Sequence, residues 1–256
     1  MNDTYLSQRY SNFVIVLVLL FPILINSIKI LSSLILLILV GLGVYIAISG
    51  KQNPFKIKEL KLFSWLTVSY FGVMLLSILV ADGLNAEFHH LGRKLQFLLA
   101  PLIALAVFKI DLPLKNLLLS IKIGLIVIGI ITITQSFLGY ERPSGMMNAN
   151  IFGDIAVIML FLSIVKVFNE QPKEQIITFI STIFGISAIT LSGNRGSWLS
   201  LLILSIIYLV IVYKRNFHNN AKYKLIIFGL FTIMLVLVTS TQTFNKQILN
   251  TEVAME

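Results

Sequence analysis

Long apolar runs recur along this chain from Phe13 almost to its last residue. A hydrocarbon core of about 30 Å needs about 20 helical residues, and every backbone polar group inside it must be hydrogen-bonded. The runs are continuously apolar and lack the alternation of barrel strands, so they predict helices. The predicted spans are residues 11–28, 30–50, 62–81, 95–110, 116–138, 151–168, 176–191, 197–213 and 225–241. We therefore expect an all-α, polytopic integral membrane bundle of about nine transmembrane helices.

The connections between these runs are short, and no Ser/Gly-rich linker or internal repeat separates them. We therefore expect residues 1–256 to form a single transmembrane domain. The first run resembles the apolar region of a signal peptide, but no small-x-small cleavage site follows it. It is interpreted as a retained first span.

Composition supports the same class of protein. The chain has 256 residues, 57% of them hydrophobic and 12% charged, with a mean hydropathy of +0.92. These values lie far outside the range of soluble domains. The chain has no cysteine, which excludes disulfides, a thiol nucleophile and cysteine metal ligands.

The formal charge of +9 is interpreted as a topology signal and not as a sign of nucleic-acid binding, because the basic residues lie in short loops. Two dense basic loops, at 51–61 and 213–224, favour the cytoplasm. With the N-terminus cytoplasmic, the basic residues favour the inner side by about two to one. The C-terminal tail is then periplasmic, and the loops around His89, Arg142 and Arg195 also face outward.

The loop that contains Arg142 leads into a predicted helix. Pro143 and Gly145 predict a constrained turn, and either Asn148 or Asn150 is suited to cap the helix. One interpretation is purely structural, with Asp154 stabilising the exposed amides of the first turn. The other is that Arg142 faces a ligand beside a helix N-terminus.

The stretch "SGNRGSW" places Arg195 between two apolar runs. Gly193 and Gly196 allow a sharp turn, and the amides that open the next helix point to the same outer face. Arginine also binds phosphate oxygens in a bidentate manner. The alternative is an arginine that extends to the membrane interface, with Trp198 as an interfacial aromatic. Together, Arg142 and Arg195 would suit a doubly charged anion such as a pyrophosphate.

Other chemistry is less well supported by the sequence. His89 and Arg93 form either an interfacial turn or a secondary contact for lipid head groups or anionic glycan. No i, i+4 carboxylate or third histidine completes a metal set, so we predict neither a metal nor a cofactor. The sequence contains no nucleotide-binding or hydrolase motif and no clear mid-membrane carboxylate of the kind that ion-coupled transporters use.

The segments "RPSGMMNANIFGDIAVIML" and "LSGNRGSWLSLLI" resemble the O-antigen ligase and O-antigen polymerase superfamily. In that family an arginine- and asparagine-containing loop is followed by a turn of the S-x-S-R-G kind that opens a helix. This chain has Asn194 where serine is common. The resemblance implies a GT-C-like helical fold.

The resemblance also implies a metal-independent glycosyltransferase at the periplasmic side of the bacterial inner membrane. Its donor would be a glycan on undecaprenyl pyrophosphate, and its acceptor a sugar hydroxyl of lipid A-core, in lipopolysaccharide biosynthesis. Arg195 and Arg142 would bind the donor pyrophosphate and neutralise charge on the leaving group. The supporting positions would be Asn150, Gly193 and Gly196.

Family members carry, after their later spans, a large periplasmic loop with the histidine that activates the acceptor. No histidine follows His218, which the topology places in the cytoplasm. We therefore expect the catalytic base to be absent and this chain to be a truncated product, half of a split protein or a fragment, with little or no activity alone.

Three alternatives stay open. The chain could belong to an O-antigen polymerase or to an oligosaccharyltransferase that acts on protein, because the acceptor is not encoded in these motifs. It could also be a permease or flippase component. A mid-membrane charged pair would favour the permease, and a lateral cleft with both arginines at its outer mouth would favour glycan transfer.

The predicted topology can be tested with a single cysteine at position 195, because the chain has no cysteine of its own. We expect a membrane-impermeant maleimide to label it in intact spheroplasts. A cysteine at position 56, in the inner basic loop, should be labelled only after permeabilisation. Labelling of residue 195 from the cytoplasmic side alone would overturn the topology.

Overall fold

The computed structural model describes residues 8–50, 52–82, 88–108, 110–167 and 170–216. These residues form eight helices and no strand, which confirms the all-α class for the described part of the chain. The predicted ninth span, 225–241, lies outside it. The helices are α1 (Gln8–Leu24), α2 (Lys29–Ser49), α3 (Lys58–Asp82), α4 (Phe88–Phe108), α5 (Leu114–Phe137), α6 (Ala149–Ile164), α7 (Pro172–Leu191) and α8 (Arg195–Asn216).

Four helices of the described part are long and apolar enough to cross a membrane: Lys29–Ser49, Lys58–Ser77, Leu114–Phe137 and Pro172–Leu191. The other four helices contain shorter apolar stretches: Tyr10–Leu24, Phe97–Phe108, Ala149–Ile164 and Arg195–Tyr208. This is the pattern of a membrane protein. The count of about nine spans stays a prediction.

The chain forms two compact units. Of the described residues, the first unit contains 8–18 and 30–112, and the second contains 19–29 and 113–216. In the first unit α3 packs on α4, where the Tyr70 and Phe97 rings meet edge to face with centroids 4.8 Å apart. Gly43 of α2 packs directly on the Leu102 backbone.

The second unit is built from α5 to α8, with α5 packed most extensively on α7. Its core is apolar: Ile121, Leu125, Ile128, Phe152, Ala156, Val157, Met159, Leu160, Ile186, Ala188, Ile189 and Leu201. Close packing of α5 on α7 depends on Gly129, where a Cβ would lie 2.5 Å from Phe184 Cβ and 2.7 Å from Phe184 O. Such a small residue lets two helix backbones approach closely, as in other membrane bundles.

Helix order determines what meets at each end of this unit. The connection from α5 to α6 and the connection from α7 to α8 lie at one end, where Arg142 Nε donates to Ser192 O at 3.4 Å. The connection from α6 to α7 lies at the other end, beside the start of α5, because Lys122 pairs with Glu170. Helix α7, with 20 residues, separates the two ends by about 30 Å.

Substituting Gly129 by alanine should test the packing of α5 on α7. The added methyl group would overlap Phe184, so we expect a loss of about 1–3 kcal/mol of stability and a lower unfolding temperature in detergent micelles. Gly72→Ala is the matched control, because a Cβ there would meet nothing within 4 Å. Equal unfolding temperatures for the two variants would contradict the packing described.

Candidate functional site

The loop that carries Arg142 is fixed by one glutamine of α5. Gln135 Oε1 accepts from the Ser144 and Gly145 amides, both at 2.9 Å, and Gln135 Nε2 donates to Gly145 O at 3.0 Å. Gly145 has φ +64°, and a side chain there would lie 2.5 Å from Asn26 O. Glycine is therefore required on both conformational and steric grounds.

Arg142 itself links the two loops at this end of the unit. Its Nη2 donates to Asn150 Oδ1 at 2.8 Å and its Nε donates to Ser192 O at 3.4 Å. A guanidinium has five N–H donors, and the described residues use two of those of Arg142. The Arg142 side chain is exposed, and its guanidinium group is held in place by these two hydrogen bonds.

Both helices that begin here are capped by asparagine side chains. Asn148 Oδ1 accepts from the Asn150 amide at 2.9 Å at the start of α6, and Asn194 Oδ1 accepts from the Gly196 amide at 3.1 Å at the start of α8. Of the two caps considered from sequence for α6, Asn148 is the one used. The Gly196 amide, one of those expected to point to the outer face, is therefore occupied by a cap.

A polar joint connects the first turns of α6 and α8. Asn194 Nδ2 lies 2.8 Å from Asn150 O, 3.2 Å from Asp154 Oδ1 and 2.5 Å from Ser197 Oγ. Ser197 Oγ also donates to Asp154 Oδ1 at 2.7 Å. The interpretation of Asp154 as a partner for the amides of its own first turn is therefore corrected, because its bonded oxygen faces α8.

Gly153 allows this joint to close. A Cβ at that position would lie 2.5 Å from Ser197 Oγ and 3.0 Å from Ser192 Oγ. Trp198, the expected interfacial aromatic, packs against the apolar core, and its Nε1 donates to Ile189 O at 3.3 Å.

Arg142 and Arg195 line one open pocket of about 300 Å³, together with Asn150, Gly193 and Asn194. Gly193 has φ +63°, so the tight turn before Arg195 needs glycine, as the sequence predicted. Gly196 adjoins the pocket through the Asn194 cap but does not line it. The volume suits a small ligand or one polar group of a larger one.

The remaining sequence candidates lie elsewhere. His89 and Arg93 belong to the first turns of α4, in the other unit, and their side chains lie outside the described residues. His218 is also outside them. In the part of the chain that the structure describes, no group of three His, Cys, Asp or Glu side chains could hold a metal ion.

A second polar cluster lies at the opposite end of the unit. Lys122 of α5 forms an ion pair with Glu170, and the two side chains are only 5% and 8% exposed. Thr178 Oγ1 donates to the other oxygen, Glu170 Oε2, at 2.6 Å. Nothing in the sequence indicated that Lys122 and Glu170 form a pair.

The chain is similar to an uncharacterized protein of Haemophilus influenzae strain Rd, with 30% identity over 219 residues. The match covers 82% of this chain and 52% of that protein, so the chain spans about half the length of this curated relative. No family model matches the chain. The resemblance to the O-antigen ligase superfamily stays a prediction from the two motifs.

Replacing Asn194 by aspartate should break the polar joint without changing its size. The new carboxylate would face Asn150 O and Asp154 Oδ1, which only accept hydrogen bonds, so we expect a loss of at least about 2 kcal/mol. Thermal unfolding in detergent micelles, followed by circular dichroism, measures it.

Asn148→Asp is the matched control. It keeps an oxygen for the Asn150 amide and places a negative charge at a helix N-terminus, which is favourable. Similar unfolding temperatures for the two aspartate variants would show that the joint does not hold α6 to α8.

Proposed function

We propose that this protein is a membrane glycosyltransferase of the O-antigen ligase type. Its pocket between Arg142 and Arg195 would hold the pyrophosphate of a glycan carried on undecaprenyl pyrophosphate. The observation that carries the proposal is that these two arginines, from separate loops, line the same pocket. Two arginines that line one space suit a ligand with two adjacent negative charges.

The chemistry required at such a site is charge stabilisation. As an acceptor hydroxyl attacks the anomeric carbon, the glycosidic bond to phosphate breaks and negative charge develops on the leaving pyrophosphate. Fixed guanidinium donors stabilise that charge more in the transition state than in the ground state. Asn150 supports the site indirectly, because its Oδ1 positions Arg142.

The proposal includes a location and an acceptor. The protein would lie in the bacterial inner membrane with about nine spans, and its pocket would face the periplasm. The acceptor would be lipid A-core. Long apolar helices and basic loops at 51–61 and 213–224 support this placement.

A permease or flippase component is the second candidate, and the buried pair of Lys122 with Glu170 is the observation that favours it. The placement of the pair argues against this function. Glu170 lies in the connection before α7, and both of its oxygens are occupied, by Lys122 and Thr178. These are the features of a fixed structural contact at one end of the helices.

A chromosomal Arg195→Ala substitution, and separately Arg142→Ala, tests the leading proposal in the protein as the cell makes it. Loss of a charge-stabilising donor reduces such reactions by about 100-fold or more. We therefore expect the polysaccharide-bearing lipopolysaccharide bands on a gel to disappear, with the amount of protein in the membrane unchanged.

The control is Lys173→Ala, which removes an exposed positive charge from the first turn of α7, at the other end of the unit. It should leave the bands intact. Normal bands in both arginine variants would exclude the proposed function.

A further inference from the structure

A second pocket lies at the end of the second unit opposite the arginine pocket. It has a volume of about 380 Å³ and is formed where α5 and α7 begin, next to the connection after α6. Its charged lining residues are Lys115, Lys122, Lys166, Glu170 and Glu174. None of these residues has a role in the proposed glycan transfer.

The wall of this pocket contains a buried ammonium group with unused donors. Lys122 is 5% exposed and donates to Glu170 alone among the described residues. An ammonium group has three N–H donors, so two have no protein acceptor in that part of the chain. Burial of a charge with incomplete hydrogen bonding is costly, and an acceptor within the pocket would reduce the cost.

The charge of the lining is positive. Three lysines face two glutamates, a net charge of +1. Glu170 is committed to Lys122 and Thr178, and Glu174 pairs with Lys115. Lys166 is exposed and forms no ion pair with the described acidic residues. An anion would therefore find a positive charge that no carboxylate of the described residues neutralises.

Three apolar residues, Leu118, Leu119 and Ile177, also line the pocket. A free inorganic anion makes no use of such a surface, whereas an acyl chain does. Helix α7 is about as long as the hydrocarbon core is thick, so a pocket at its first turn lies at the level of lipid head groups. Basic pockets between membrane helices are typical sites for anionic head groups.

We propose that this pocket binds the phosphate of an anionic phospholipid, with Lys166 and the buried Lys122 as its hydrogen-bond donors. The apolar lining residues would contact an acyl chain of the lipid. The site is separate from the arginine pocket and does not depend on the proposed transferase function. It would anchor the connection between α6 and α7 to one leaflet of the membrane.

The test is lipid binding to the purified full chain, measured by native mass spectrometry from detergent. Phosphatidylglycerol and phosphatidylcholine with identical acyl chains are titrated separately. We expect tighter binding of phosphatidylglycerol, and about fivefold weaker binding of it by Lys166→Ala, the factor that corresponds to about 1 kcal/mol per lysine near an anionic surface. Lys166 is exposed, so the variant should fold normally.

Lys173→Ala is the matched control, because this exposed lysine does not line the pocket. It should bind phosphatidylglycerol like the unmodified protein. Equal weakening by both lysine variants, or equal binding of the two lipids, would overturn the proposal. Displacement of the lipid by inorganic phosphate at millimolar concentration would also overturn it, by showing that the site selects phosphate without the acyl chain.

Discussion

The buried carboxamide of Asn194 holds together the two helix starts on which the arginine pocket depends. Its nitrogen lies within hydrogen-bond distance of Asn150 O, Asp154 Oδ1 and Ser197 Oγ. In a helical bundle with apolar surroundings, a polar group that loses its partners costs several kcal/mol. The first turns of α6 and α8 therefore cannot separate without a large penalty, and this joint sets the spacing of the two arginines.

The second unit has the Asn194 joint and an ion pair at its opposite ends, and a mostly apolar core between them. The Asn194 joint lies at one end. The ion pair of Lys122 with Glu170 lies at the other end, where Thr178 Oγ1 also donates to Glu170. Between them the buried residues of α5 and α7 include Leu125, Ile128 and Ile186. Buried hydroxyls between the two ends donate to carbonyls of their own helix, as Ser181 and Thr182 do to Thr178 O. The ion pair lies at one end, which suits helices that cross a hydrocarbon layer, because a charged group can reach head groups there.

Most of the helices could be predicted from the sequence, because long apolar runs give a high mean hydropathy. The helix boundaries were predicted less well. Helix α7 begins at Pro172, whereas the sequence predicted a start at 176, because the first turn of the helix is polar and does not add to the apolar run. Counting the predicted spans placed the loops of Arg142 and Arg195 on the same face of the protein. In the structure the two residues line one pocket. The pairing of Asp154 with Asn194 did not follow, because it joins side chains distant in sequence whose rotamers no local pattern specifies. The sequence feature that indicated a polar partner was Asp154 itself, because it is the only charged residue in the apolar helix α6.

The caps on α6 and α8 change the physical basis of the anion binding that we propose for the pocket. When Asn148 and Asn194 accept from the second amide of each helix, less of the helix N-terminus is available to a ligand. The guanidinium groups must then supply most of the attraction. Arg142 is suited to this because two of its donors are fixed on Asn150 and Ser192, so its planar group is oriented before a ligand arrives. A lysine, with a compact charge on a flexible chain, could not be held in the same way.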